Sequence, residues 1–277
     1  MKIVIIGCGR FGSIITDLML SQGHDVVVVD SSDSKIENVN NTRDVLAICG
    51  NGSDYYILDE IGMKDTDVFV ACTASDEINL LSSTMAKAMG AKHTIARVLR
   101  HHPRGKATRF ILENFDIDML ISPDYLTAMD AYKILNEHRV QNVMILGATR
   151  LGIQLTHILT ENGINVSVID RDPNRCNNLN NFVPGNYMLL NSDESDHQVL
   201  FDAGLKDMDA VVTATPMDAE NILISLFATD CKVPLVVTKI ENSSFTNIVN
   251  ELTLEHVVAP RLSTAKIVLD YVKGLEK

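Results

Sequence analysis

One architectural unit is written twice in this chain. The first copy opens with KIVIIGCGRFGSII and the second with NVMILGATRLGIQL. Gly7 and Gly147 stand 140 apart (147−7), as do Gly12/Gly152 and Asp30/Asp170. Downstream the offset grows to 142 (204−62), through Gly62/Gly204, Asp67/Asp209, Thr73/Thr215, Asp76/Asp218 and Asn79/Asn221. It falls to 137 (260−123) at Pro123/Pro260, Thr127/Thr264 and Ala128/Ala265. A common order with small drifts in spacing is what duplication followed by short insertions leaves behind. Each copy has the size of a domain, so the chain reads as two tandem domains, residues 1–137 and 138–277, and not as a solenoid.

Short, β-branched apolar runs predict strands buried on both faces, as in a parallel sheet. In the first copy these are Ile3–Ile6, Val26–Val29, Val45–Cys49, Val68–Cys72, Thr94–Val98 and Met119–Ile121. Between them, helical spacing predicts helices over Gly12–Ser21, Ile36–Asn40, Tyr55–Ile61, Glu77–Met89 and Phe110–Phe115, with a closing helix over Asp124–Asn136. The second copy repeats the rhythm, with strands near Val143–Leu146, Val166–Ile169, Tyr187–Leu190, Ala210–Ala214, Leu235–Ile240 and Val257–Val258, and a closing helix over Thr264–Val272. Alternation of this kind predicts an α/β fold of two tandem Rossmann-like, doubly wound parallel sheets. The connector Glu137–Gln141 is too short for a flexible tether, so the units are expected to be held close together.

A net charge of −12 argues against nucleic acid, since neutralising phosphates needs clustered cations. The local exception is Arg97, Arg100, His101, His102, Arg104, Lys106 and Arg109. This segment is either a solvated basic face or a docking patch for an acidic partner or a phosphate-bearing ligand. No apolar run approaches the ~18 residues that span a bilayer, and the opening lacks the features of a signal peptide. Five scattered cysteines without a CxxC point to a reducing cytoplasm.

Gly7-x-Gly9-x-x-Gly12 follows a predicted strand, opens a predicted helix, and is followed by Asp30 at the end of the next strand. In that setting Gly7 permits the tight turn, Gly9 admits a pyrophosphate, and Gly12 allows close packing of helix on strand. The helix start offers unpaired N–H groups and partial positive charge to phosphates. Asp30 suits a ribose 2′-hydroxyl and repels a 2′-phosphate, which favours NAD(H) over NADP, with adenine nucleotides such as ATP, ADP or AMP as alternatives. A turn whose glycines serve only the fold is the non-binding alternative. Strand ends on the ligand side place Asn51, Gly52, Thr73, Ala74 and Arg97 nearby, and Arg10 lies within the turn itself. In the second copy Gly147-Ala148-Thr149-Arg150-Leu151-Gly152 replaces the middle glycine by Thr149, although Asp170 is retained and Arg171 follows. A β-branched side chain there obstructs a pyrophosphate, so Gly147, Ala148, Thr149, Arg150, Leu151 and Asp170 are expected to form a degenerate, weaker or differently occupied nucleotide site, with a non-binding structural role as the alternative.

A dehydrogenase needs a proton-transfer group beside the nicotinamide, and both units are spent on the nucleotide fold. The histidines are scattered, no third ligand completes a metal site around His101 and His102, and there is no P-loop. No catalytic or metal-binding residue is assigned. A NAD-dependent oxidoreductase with its substrate pocket between the copies stands as the alternative.

GCGRFG, Asp30, Gly50-Asn51-Gly52-Ser53, Leu58…Gly62…Asp65…Asp67, Thr73…Asp76-Glu77…Asn79, Ala96-Arg97-Val98 and Ile121-Ser122-Pro123 together resemble the RCK N-terminal domain. The chain as a whole resembles the TrkA-type regulatory subunits of Trk potassium uptake systems. The resemblance implies a cytoplasmic protein, peripheral to the inner face of the membrane, that binds NAD(H) or ATP/ADP. It implies a homo-oligomer, a ring or dimer of RCK domains, that gates or modulates a potassium-conducting membrane subunit. It carries nucleotide contacts onto Gly7, Cys8, Gly9, Arg10, Phe11, Asp30, Asn51, Thr73, Ala74 and Arg97, with Gly12 closing the turn. The helices after Pro123 and Pro260 resemble the segment by which RCK domains cross over and pair. Two departures stand out. The resemblance implies a smaller C-terminal RCK domain after each unit, and here residue 137 passes almost directly into the second unit. Asn51 stands where the family commonly has Asp.

Overall fold

The computed structural model describes residues 1–99, 106–245, 251–252 and 254–276. The first copy runs β1 (Lys2–Ile6), α1 (Arg10–Ser21), β2 (Asp25–Asp30), α2 (Asp33–Thr42), β3 (Leu46–Cys49), α3 (Tyr55–Ile61), β4 (Val68–Ala71), α4 (Asp76–Ala88), β5 (His93–Arg97), α5 (Lys106–Phe115), β6 (Met119–Ile121) and α6 (Pro123–Glu137). The second runs β7 (Asn142–Leu146), α7 (Arg150–Glu161), β8 (Asn165–Ile169), α8 (Pro173–Phe182), β9 (Met188–Leu190), α9 (His197–Asp202), β10 (Ala210–Thr213), α10 (Asp218–Asp230), β11 (Leu235–Lys239), β12 (His256–Val258) and α11 (Pro260–Leu275). Each predicted strand and helix named above is present, with ends shifted by a few residues. Arg100, His101, His102 and Arg104 of the basic segment lie outside the described residues, while Lys106 and Arg109 fall on α5.

Both sheets are parallel throughout, in the orders β3-β2-β1-β4-β5-β6 and β12-β11-β10-β7-β8-β9. The order reverses beside β1 and beside β7, which opens a crevice at the carboxyl ends of those strands. The apolar runs are continuous because each sheet is covered on both faces. Along β1, Ile3 and Ile5 join Ile15 and Met19 of α1 on one face, while Val4 and Ile6 join Leu58, Ile61 and Ala86 on the other. The second sheet divides likewise, with Val143 and Ile145 on one face and Met144 and Leu146 on the other.

The compact units do not follow the division at 137/138. One comprises Met1–Pro123 with Arg261–Lys277, and the other Asp124–Pro260. Ala265, Val268 and Val272 of α11 are fully buried in the cluster that contains Ile3, Ile5 and Ile121. Tyr125, Ala128, Ala131 and Leu135 of α6 pack with Val143, Ile145 and Val168. The two closing helices are therefore exchanged between the copies, each packing in the unit built on the other copy's sheet. Helical spacing dictates which side of such a helix is apolar; it does not say which of two similar sheets that side will cover. The segment read as a connector, Glu137–Gln141, lies within the second unit, and the chain changes units at Pro123–Asp124 and Pro260–Arg261.

Asp67 and Asp209, paired by the duplication, pin the start of the first strand in each copy. Asp67 Oδ2 accepts the Lys2 amide at 2.8 Å, and Asp209 Oδ2 accepts the amides of Gln141 and Asn142, each at 2.8 Å. Both carboxyls lie below their ordinary range. Lys92 and then the Lys2 amide cause this for Asp67, and the Gln141 and Asn142 amides cause it for Asp209.

Truncating Val268 to Ala is expected to cost about 2 kcal/mol through lost burial and a residual cavity. Hydrogen exchange reads where that loss falls: protection is expected to drop across Ile3–Ile6 and not across Val143–Leu146, and the reverse pattern would contradict the exchange of helices. The aspartates carry a pH signature. Because their folded pKa values are depressed, their stabilisation is complete above the unfolded value of about 3.9 and is lost as pH falls through the folded values. Denaturant titrations from pH 7 to pH 3 are expected to show a shallower loss of stability in Asp67→Asn than in the parent.

Candidate functional site

In the first unit the strand-to-helix turn is set by two backbone demands. Gly7 has φ +104°, a conformation L side chains rarely adopt, and a Cβ on Gly12 would sit 1.8 Å from the Gly7 carbonyl oxygen. Gly9 is different. Its φ of −67° and ψ of 178° are open to any residue, and a Cβ built there meets nothing within 4 Å. The fold itself does not require glycine at position 9; what glycine preserves there is empty space at the start of α1. Gly9 supplies no side-chain cap, so the first N–H groups of the helix face that space.

Asp30, at the end of β2, holds the turn from the opposite side. Its Oδ2 accepts the Cys8 amide at 2.7 Å and its Oδ1 accepts the Ser32 amide at 3.0 Å. The ammonium of Lys35, on a side chain 49% exposed, approaches the same carboxylate at 3.1 Å. A carboxylate offers about four lone-pair positions, and the backbone takes two of them. The other two face Lys35, whose Nζ donates to Oδ1 at 3.3 Å and to Oδ2 at 3.1 Å; it is an exposed point charge that a sugar hydroxyl can displace.

These groups line a cleft of about 440 Å³, within the range of small-molecule sites. Gly7, Gly9, Arg10, Phe11, Asp30, Asn51, Gly52, Thr73, Ala74 and Arg97 of the sequence reading all line it. Cys8 contributes through its backbone amide, and Gly12 packs beneath the turn. Asn79, fully buried, fixes the far wall: its Oδ1 accepts the Thr73 amide at 2.8 Å and its Nδ2 donates to the Arg97 carbonyl at 2.9 Å, joining the ends of β4 and β5. The Arg97 guanidinium lies 5.3 Å from the centroid of the Phe11 ring. Among the described residues the charged lining is Arg10, Lys35, Arg97 and Arg261 against Asp30, a positive cleft in an acidic protein. Burial, with the Asp30 charge behind it, pushes the Cys8 thiol up to about 12, and burial pushes Cys72 up to about 12 as well, so neither is a thiolate nucleophile at neutral pH.

Sequence reasoning missed Lys35 and Arg261. The first had a signal, since Arg175 stands 140 residues later (175−35) in the same position after the acid. The second had none, because it reaches the cleft only through the exchange of closing helices.

The second copy keeps the backbone and fills the space. Thr149 has φ −68° and ψ 177°, the conformation of Gly9, and its hydroxyl donates to the Ala214 carbonyl at 2.7 Å. The same hydroxyl caps the Gly152 amide of α7. Asp170 is fully buried. It accepts the Ala148 amide at 2.6 Å and the Asp172 amide at 2.7 Å, and Arg175 takes both oxygens at 2.7 and 2.8 Å. All four lone-pair positions are occupied by protein. Arg171, where the first copy has Ser31, is tied to Asp193, Glu194 and Glu220. Lys239, the counterpart of Arg97, is buried, with Nζ 3.2 Å from the Thr215 carbonyl and 3.4 Å from Glu241. Arg150 and Leu151 open α7, Arg150 exposed and Leu151 in the core.

Comparison with known proteins agrees with this duplicated pattern. The family model of the TrkA-N domain matches residues 3–123 and again 143–260. A Trk system potassium uptake protein TrkA homolog of Methanothermobacter thermautotrophicus is 35% identical over 147 residues, which cover 53% of this chain and 66% of that protein. A protein of the same description from Archaeoglobus fulgidus is 24% identical over 348 aligned positions, covering 95% of this chain and 79% of its own length. That alignment is longer than this chain, so the relative carries intervening residues, in the number of a small domain, that have no counterpart here. Among solved structures, the GsuK channel superposes with a TM-score of 0.83 at 16% identity, covering 100% of this chain and 70% of that one. The GsuK channel bound to NAD gives 0.81 at 12% identity, covering 99% and 64%. At these identities the likeness is one of fold. With the domain model matched twice along its length, the chain belongs to the TrkA-N domain family.

Proposed function

We propose that this chain is a nucleotide-responsive regulatory protein of a Trk-type potassium uptake system. In this reading the first unit binds NAD(H) or an adenine nucleotide such as ADP or ATP. The protein acts from the cytoplasmic side on a potassium-conducting membrane subunit, as a homo-oligomer. The observation that carries the reading is the space kept open at Gly9 between an uncapped helix start and Asp30, in a cleft lined by four cations. A diphosphate lies against the N–H groups of α1, and a ribose hydroxyl displaces the Lys35 ammonium at Asp30. In this reading the cleft binds and the ligand's role is to bias conformation. Homologues named Trk system potassium uptake protein TrkA, and a GsuK structure bound to NAD and another bound to ADP, support the assignment. The second unit has a structural role in this proposal, its carboxylate being saturated by Arg175 and its phosphate space taken by Thr149.

NAD(H) or an adenine nucleotide is expected to copurify with the protein and to be identifiable by mass spectrometry of the denatured supernatant. Gly9→Asp is expected to abolish retention while leaving the melting temperature of the ligand-free protein nearly unchanged, because that position is open. Retention that survives both Gly9→Asp and Asp30→Ala would remove the site from the cleft, and steady consumption of NADH with a carbonyl substrate would point to an oxidoreductase instead. The second unit yields a stability prediction. Arg175→Ala strands a buried carboxylate and is expected to cost about 3–5 kcal/mol. Lys35→Ala removes an exposed ammonium from a carboxylate that two backbone amides still hold, and is expected to cost less than about 1 kcal/mol; urea unfolding of the two variants compares them directly.

A further inference from the structure

The wall of the first unit's cleft includes a residue from the far end of the chain. Arg261 lines the cleft with the glycine turn and Asp30, although more than 200 residues separate them (261−30 = 231). It belongs to the first compact unit because α11 docks there. It stands one helical turn before Ala265, which is fully buried in that unit's core, so docking of the apolar stripe also directs position 261. The duplication supplies an internal comparison. The equivalent position at the start of α6 is Asp124, 137 residues earlier (261−124), and α6 docks in the second unit. The unit with open space at its glycine turn thus receives a cation from its exchanged helix. The unit whose turn is filled by Thr149 and whose carboxylate is clamped by Arg175 receives an acid.

We infer that Arg261 is a ligand-binding residue of the first unit's cleft, supplying positive charge to the phosphates of a bound nucleotide. The inference rests on reading this cleft as the nucleotide site. A guanidinium suits the task through its planar fork of donors and permanent charge. Its position at the start of α11 makes the docked state of that helix part of the binding site. Nucleotide binding and helix docking are then linked, each favouring the other by the same factor.

The test uses the full chain and three ligands: ADP, NADH and adenosine, which lacks phosphate. Affinities are measured by calorimetry, with ligand-observed NMR for adenosine. Arg261→Gln is expected to weaken ADP about tenfold, the scale of one charged hydrogen bond, and to leave adenosine unchanged. Arg261→Lys is expected to recover part of the loss. Wild-type ADP affinity in Arg261→Gln would overturn the inference and leave the site reading intact. An equal loss for ADP and adenosine would also overturn it, by placing the effect in helix docking and not on phosphate. If the parent binds neither ADP nor NADH, or if Gly9→Asp leaves their binding unchanged, the site reading falls and the inference falls with it.

Discussion

Each half of this protein is organised around one carboxylate at the tip of its second strand. Asp30 and Asp170 each accept the amide N–H of the residue after the first glycine of the turn, at 2.7 and 2.6 Å. That bond closes the strand-to-helix turn, and the turn sets where the helix begins and where its unpaired N–H groups point. A buried carboxylate is costly unless its lone pairs are met, so what meets the remaining ones decides the character of each unit. In the first unit it is an exposed lysine. In the second it is a bidentate arginine.

The contrast between the units is one of occupancy on a shared frame. Gly9 and Thr149 have nearly identical backbone angles, so the frame tolerates a side chain at that point. Thr149 caps its own helix and bonds the neighbouring strand end, which substitutes protein for the interactions an anion would make. Arg171, Arg175 and Lys239 are likewise engaged by carboxylates or a carbonyl of their own unit. Arg10, Lys35, Arg97 and Arg261 converge on a cleft in which Asp30 is the single carboxylate among the described lining residues. A duplicated fold has thus kept its architecture twice, with the start of the first helix bare at Gly9 in one copy and occupied by the Thr149 side chain in the other.

The fold was readable from the sequence because two signals are local: buried β-branched runs of four or five residues, and helices punctuated by glycine. The glycine turn and its acid were readable for the same reason, as they fall within one strand–helix–strand unit. The identity of the sheet under each closing helix was not. Ala128, Ala131 and Leu135 have the same spacing as Ala265, Val268 and Val272, and that period is satisfied by either sheet. Arg261 was hidden behind that ambiguity. Lys35 and Arg175 were visible as a repeated pair, but their different engagement of the neighbouring acid is a matter of side-chain geometry that spacing alone does not carry.

The exchange of closing helices has a further consequence for how the two halves can diverge. In a pair of identical chains trading this segment about a twofold axis, both sites necessarily receive the same residue, because one codon writes both. Covalent fusion removes that constraint. Position 124 and position 261 became separate letters of one text, and they now read Asp and Arg. In a single chain, the residue that each closing helix brings to the unit where it docks can change without changing its counterpart.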